Sequence, residues 1–217
     1  MQKEMTRKVW AGIAALVAFT LWTVLVGTID VQPIGPENST VGLATVNGFF
    51  HDLTGVHMIL YTMTDWLGLV PVAVGFGFGV LGLCQWIKRK KLWRVDGSIL
   101  ILGGFYVVVM AVYFLFETVV INYRPVLIQG FLEASYPSST TLLVMCVMPT
   151  AAMQLRNRIQ AGWLRRWIQA GIWFFVTFMV IGRLISGVHW LSDIIGGALL
   201  SGGLVTLYGA AAKLCKR

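Results

Sequence analysis

Three residues in the stretch GRLISGVHWLSDIIGG have the types and spacing of a nucleophilic centre. Arg183 is followed after five residues by His189, and after three more by Asp193. If a helix begins near His189, the histidine and Asp193 lie four apart on one face. A carboxylate there accepts the hydrogen bond of one imidazole nitrogen, fixes the tautomer and leaves the other nitrogen free to attack. A second segment, VVINYRPVLI, offers Arg124 followed by Pro125. Arginine suits a phosphate, because its always-charged planar fork matches paired oxygens. A third, YPSSTTLL, has Pro137 ahead of Ser138, Ser139 and Thr140, a pattern for a helix start whose free amides bind anions. Together these groups describe a phosphoryl site: Arg124, Arg183, Ser138 and Ser139 as ligands, His189 as nucleophile and Asp193 as its orienter. His51 and His57, in NGFFHDLTGVH, are two further titratable groups, and each reads first as a loop or interface residue.

The elements that carry these residues read as membrane spans. Of 217 residues, 57% are hydrophobic and only 12% charged, with a mean hydropathy of +0.77. An ordinary soluble domain carries about a quarter charged residues. Apolar runs near 9–29, 58–87, 97–121, 138–155, 167–186 and 190–212 approach the ~20 residues that cross a bilayer. The expectation is an all-α, polytopic bundle of six transmembrane helices in one domain over 1–217. The second run is too long for one straight crossing, and Pro71 with Gly75, Gly77 and Gly79 offers a bend. The first, from Val9 to about Ile29, is longer than a signal core and lacks a small-residue cleavage site, so it reads as a retained span. Cys84, Cys146 and Cys215 have no paired spacing, which argues against a disulfide framework or a metal site.

Charge then sets the sides. Lys3, Arg7 and Lys8 precede the first span; Lys88, Arg89, Lys90, Lys91 and Arg94 separate the second from the third. Arg156, Arg158, Arg165 and Arg166 separate the fourth from the fifth, and Lys213, Lys216 and Arg217 end the chain. That places 15 of the 17 basic residues on one side, which the positive-inside rule makes cytoplasmic together with both termini. The net charge of +8 is therefore a topology signal and not a nucleic-acid surface. Arg124 and Arg183 are left alone on the outer side, against Asp30, Glu37, Asp52, Asp65, Glu117, Glu133 and Asp193. Ionisable groups at span ends mark function by default.

The three segments, in their order and spacing, resemble the type 2 phosphatidic acid phosphatase family, membrane-integral relatives of the vanadium haloperoxidases within the acid phosphatase superfamily. That family shows Lys-x6-Arg-Pro, then Pro-Ser-Gly-His, then Ser-Arg-x5-His-x3-Asp, on a six-helix bundle. The resemblance runs from about the second span onward, and Arg183, His189 and Asp193 meet the third motif. It implies hydrolysis of a lipid-linked phosphate or diphosphate at the extracytoplasmic face through a phosphohistidine intermediate, with no metal and no cofactor. It also implies a bilayer as the partner and polyprenyl phosphates or diphosphates, phosphatidic acid or phosphatidylglycerol phosphate as substrates, while the short loops and lack of a targeting segment suggest a bacterial inner membrane. A phosphotransferase, or a silent lipid-phosphate binder or flippase, remains as an alternative.

Two positions depart from the pattern in charge or chemistry. Glu117, seven residues before Arg124, stands where the family has its lysine, and Thr140 stands where it has the histidine that protonates the leaving group. The glycine of the second motif is Ser139, a milder change. A threonine hydroxyl is no general acid at neutral pH, and that role contributes typically 10²–10⁴-fold. A diphosphate, whose leaving group needs less protonation, is one remedy. A buried, protonated Glu117 is another, or His51 or His57 folding over the site. Glu117 is alternatively expected in a salt bridge with Arg124 or beside a cationic headgroup.

Overall fold

A computed structural model describes residues 2–214, the side chain of Asn157 excepted, so Cys215, Lys216 and Arg217 lie outside it. Eight α-helices follow one another: α1 (Gln2–Thr28), α2 (Ala44–Thr54), α3 (Met58–Leu67), α4 (Leu69–Arg89), α5 (Gly97–Thr118), α6 (Ser139–Arg158), α7 (Gly162–Ile185) and α8 (Leu191–Leu214). Among the described residues there is no β-strand, only three isolated bridges, two of them inside the 119–138 loop.

Among the described residues, five stretches are long and apolar enough to cross a membrane: α1, the α3–α4 unit Met58–Arg89, α5, α7 and α8. The remaining run, 138–155, the fourth in order, is also helical, as α6, but is not among them. Its position explains its composition. Leu142, Val144, Cys146, Met148, Ala151 and Ala152 are buried together with Thr150 and Gln154, and α4, α5, α7 and α8 all pack against it. A helix ringed by other helices need not satisfy lipid, so its polar groups are paired internally. Gln154 donates to the Tyr208 hydroxyl at 2.6 Å and to the Ser98 carbonyl at 2.9 Å. The outer helices do the opposite. Leu21 and Val24 of α1, Phe76 of α4, Val107 of α5 and Phe174 of α7 are all exposed, an apolar belt too large for a water-facing surface.

The α1 helix shows how such a peripheral span is held. Its buried residues are Gly12, Phe19 and Val26, a seven-residue period that keeps one seam against a partner helix. That partner is α8. A Cβ added at Gly12 would lie 3.2 Å from the Gly203 carbonyl, and one at Gly203 equally close to that of Gly12. The two backbones cross in contact, as small residues permit between membrane helices.

The helix of the long second run is interrupted at Gly68, between α3 and α4, and not in the glycine series, which α4 traverses as regular helix. Pro71 explains the location. It has no amide hydrogen, and its ring crowds the carbonyl four residues earlier, that of Leu67.

Candidate functional site

Arg124 is held by a hairpin-like loop. Within 119–138, the Arg124 amide donates to the Glu133 carbonyl at 3.0 Å and the Ser135 amide to that of Asn122 at 2.9 Å. Ile128 and Phe131 exchange hydrogen bonds across Gln129 and Gly130, both at positive φ, as a two-residue hairpin turn requires. The excursion returns the chain so that Arg124 and the Ser135–Thr140 segment face the same space. Ser138 then caps α6, its hydroxyl accepting from the Thr141 amide at 3.4 Å.

Arg183 arrives on the last turn of α7, and a tight link leads to His189. Gly187 shapes that link: its φ is +67°, and an added Cβ would sit 1.9 Å from the Gly55 carbonyl. A Gly187→Ala variant is expected to lose roughly 1–3 kcal/mol from backbone strain alone, and more from the clash. A lowered thermal midpoint in detergent checks this; an unchanged one would show that the link relaxes freely.

The two arginines converge. Both guanidinium carbons lie over the Tyr61 ring, Arg183 at 4.9 Å from its centroid and Arg124 at 5.9 Å. They line one cavity of about 800 Å³ with Ser139, Thr140, Glu117, Asp65 and Glu133, a volume within the usual range for small-ligand sites. The Arg183 side chain is only 1% exposed. A charge so placed needs partners, and it donates to Asp65 at 3.0 Å and to the Thr140 hydroxyl at 2.6 Å. Arg124 is paired with Glu133, Nε to Oε2 at 3.2 Å.

Several nitrogens in this region remain without a hydrogen-bond partner although buried: Arg124 Nη1, Arg183 Nε and His189 Nε2. Buried polar groups are almost always satisfied, so the two guanidinium nitrogens are donors open to an anion's oxygens, while His189 Nε2 is a ring nitrogen without a partner. His189 does not itself line the open cavity, and it is buried. Burial, followed by the positive charges of Arg124 and Arg183, holds its pKa well below 6.5, so the ring is neutral at neutral pH.

The His189–Asp193 arrangement differs from the direct hydrogen bond expected. His189 precedes α8, and its Nδ1 is 3.9 Å from Asp193 Oδ2, beyond hydrogen-bond reach. The Ser135 hydroxyl lies between them, 3.0 Å from Nδ1 and 2.5 Å from Oδ2. Asp193 also receives the Trp190 amide at 2.9 Å, Asn122 Nδ2 at 3.3 Å and the Ser192 hydroxyl at 3.3 Å. Asn47 of α2 ties this group down by donating to Ser192 Oγ at 2.9 Å and accepting from its amide at 3.1 Å. Ser135, Asn122, Ser192 and Asn47 carry no motif or charge that would have singled them out.

Other expectations need correction. Ser138 is buried and does not line the cavity, and the amide expected to bind an anion donates instead to the Asp193 carbonyl at 3.1 Å. Ser139 remains at the cavity wall. Glu117 is exposed, so the burial on which an acid role depends is missing, and it is Glu133 that pairs with Arg124. His51 and His57 do not line the cavity. His51 packs on Trp190 with centroids 5.4 Å apart, and burial lowers its pKa. His57 Nε2 bonds the Thr54 carbonyl at 2.9 Å. Cys84 and Cys146 are unpaired, one exposed and one buried.

The model of the PAP2 superfamily matches residues 99–213, which include every group just described from Glu117 to Asp193. No curated protein matches the chain. Among solved structures, the fold is similar to a transmembrane PAP2-type phosphatidylglycerolphosphate phosphatase from Bacillus subtilis. The TM-score is 0.53 at 16% identity, with 94% of this chain and 96% of that one covered.

Proposed function

Because the chain belongs to the PAP2 superfamily, we propose that it is a lipid phosphatase that hydrolyses a lipid-linked phosphate or diphosphate through a phosphohistidine. His189 Nε2 attacks phosphorus and the ester or anhydride P–O bond breaks. The leaving oxygen keeps the electron pair, and water then cleaves the P–N bond to release phosphate. Arg124 and Arg183 neutralise the phosphoryl oxygens, with Ser139 beside them. The carrying observation is the set of buried, partnerless nitrogens that Arg124, from the 119–138 loop, and Arg183 and His189, from the α7–α8 junction, hold.

The whole chain, 1–217, acts in this proposal as one membrane-integral domain. Six spans cross, the shielded α6 being the fourth, with both termini on the cytoplasmic side and the cavity on the other, in a bacterial inner membrane. The one-sided basic clusters favour that orientation. Placing the cavity at an interface lets a phosphate headgroup enter while its tails stay in lipid.

The test is phosphate release by purified protein in detergent. The panel is phosphatidic acid, phosphatidylglycerol phosphate, and a polyprenyl phosphate and diphosphate, each with and without EDTA. Release unaffected by chelation is expected, fastest with the diphosphate. A second reading, a silent lipid-phosphate binder, draws on Thr140, whose hydroxyl already accepts from Arg183 and supplies no acid. Binding of these lipids without any release would establish that reading in place of the first.

The depressed pKa of His189 fixes the sign of the pH dependence. The neutral ring is the nucleophile, so activity is lost only as pH falls through the folded-state value. The acid limb of kcat/KM, measured on the diphosphate, is therefore expected below pH 6.5. A limb at or above that pH would mean that another group controls it.

A further inference from the structure

Ser135 stands between the two residues that the chemistry needs to couple. Its hydroxyl has one proton and two acceptor faces. The contact to Asp193 Oδ2 is the shorter, 2.5 Å against 3.0 Å to His189 Nδ1. Around Asp193, the Trp190 amide and Asn122 amide group are obligate donors, and the Ser192 hydroxyl also points to it. Such a donor set fits a carboxylate, which only accepts, so the Ser135 proton goes to Oδ2. What Ser135 then presents to the imidazole is a lone pair. His189 Nδ1 must carry the hydrogen, and Nε2 must be bare. The opposite tautomer would leave two acceptors facing each other across 2.5 Å with no proton between them.

We propose that Ser135 is a positioning residue, whose hydroxyl transmits the orientation of Asp193 to His189, fixes the Nδ1–H tautomer and aims Nε2 at phosphorus. The surroundings suit that task. Ser135 is buried, and its amide is anchored to the Asn122 carbonyl at 2.9 Å. Asn122 in turn contacts Asp193 and accepts from the Gly42 amide at 3.1 Å. The hydroxyl is thus set in a rigid frame, bracketed by groups that are themselves fixed. Without it, the 3.9 Å gap between Nδ1 and Oδ2 breaks the link to the carboxylate and leaves the ring only the Ser135 backbone contact. The kinetic part of this proposal rests on His189 being the nucleophile; the tautomer does not.

Selective ¹⁵N-histidine labelling of the full chain in detergent reads the tautomer directly. Wild type is expected to show His189 with a protonated Nδ1 and a bare Nε2, Ser135→Ala to show a mixture, and Ser135→Thr to restore the single form. On lipid diphosphate, Ser135→Ala is expected to lower kcat about 10²-fold, as small misplacements of reacting groups do, with KM nearly unchanged. A serine that merely fills space would move neither signal. If Ser135→Ala does not fold, Ser135→Cys carries the test at nearly constant volume, its weak S–H donor and acceptor giving the same mixture. The same single Nδ1–H form in wild type, Ser135→Ala and Ser135→Cys would overturn the proposal. Absence of turnover in wild type would instead sink the hydrolase reading, and the tautomer comparison would still decide the role of Ser135.

Discussion

Replacing His189 with alanine is expected to lower phosphate release from every lipid phosphate that the protein accepts by about 10⁴-fold or more, the scale seen when a covalent nucleophile is deleted. The argument is positional. Arg124 and Arg183 supply charge, but neither forms a covalent bond to phosphorus, and they occupy the cavity-wall carboxylates Asp65 and Glu133. His189 is neutral because burial and both guanidiniums oppose its protonation, and its Nε2 has no partner to displace. Affinity should survive the change, since the arginines do the binding. The variant is therefore expected to retain lipid phosphate while failing to turn it over. His189→Gln provides a second version that keeps more volume in a fully packed place. A complementary measurement follows label from a ³²P-diphosphate lipid into the protein, where an acid-labile, base-stable adduct is expected in wild type and none in either variant. Turnover within about tenfold of wild type in both would remove His189 from the chemistry.

How far the sequence reaches depends on what kind of contact holds each residue. Arg124, Arg183, His189 and Asp193 stand out because charged or titratable residues at span ends need a reason, and there are few of them. The polar frame around them does not stand out. Ser135 and Asn122 lie in a loop where serine and asparagine are ordinary turn residues, and their importance comes from a hairpin register that one turn at Gln129–Gly130 sets. Counter-ions were misjudged for the same reason. Glu117 is nearest in motif terms, but the loop folds Glu133 back onto Arg124, and α3 brings Asp65 to Arg183 from 118 residues away. The helices were legible from hydropathy with one instructive exception. The α6 stretch is polar enough to fall short as a span, because a helix shielded by its neighbours is released from the demand that lipid makes. The interruption in the long second run follows from Pro71, and the rule that proline disturbs the carbonyl four residues earlier, that of Leu67, places it next to Gly68.

Restoring a general acid is expected to change specificity more than any other substitution at the cavity wall. In Thr140→His, an imidazole would enter at a position that lines the cavity and contacts Arg183. An alkyl phosphate loses an alkoxide, a poor leaving group that benefits strongly from a proton, whereas a diphosphate loses a stable phosphate. General acid catalysis is worth typically 10²–10⁴-fold. The kcat/KM for phosphatidic acid is accordingly expected to rise by about 10²-fold or more, and that for the polyprenyl diphosphate to change little. The gain should also have a basic limb, disappearing as pH rises and the new imidazolium loses its proton. Thr140 holds Arg183 through its hydroxyl at 2.6 Å, so the arginine must find another partner. Thr140→Asn, polar but without an acid, isolates that effect and is expected to give no gain on either substrate. A rise of equal size for monoester and diphosphate would mean that the substitution acts on binding. No rise for the monoester in a folded variant would mean that leaving-group protonation does not limit this protein. Thr140 would then be a polar contact of Arg183 and not the mark of a lost acid.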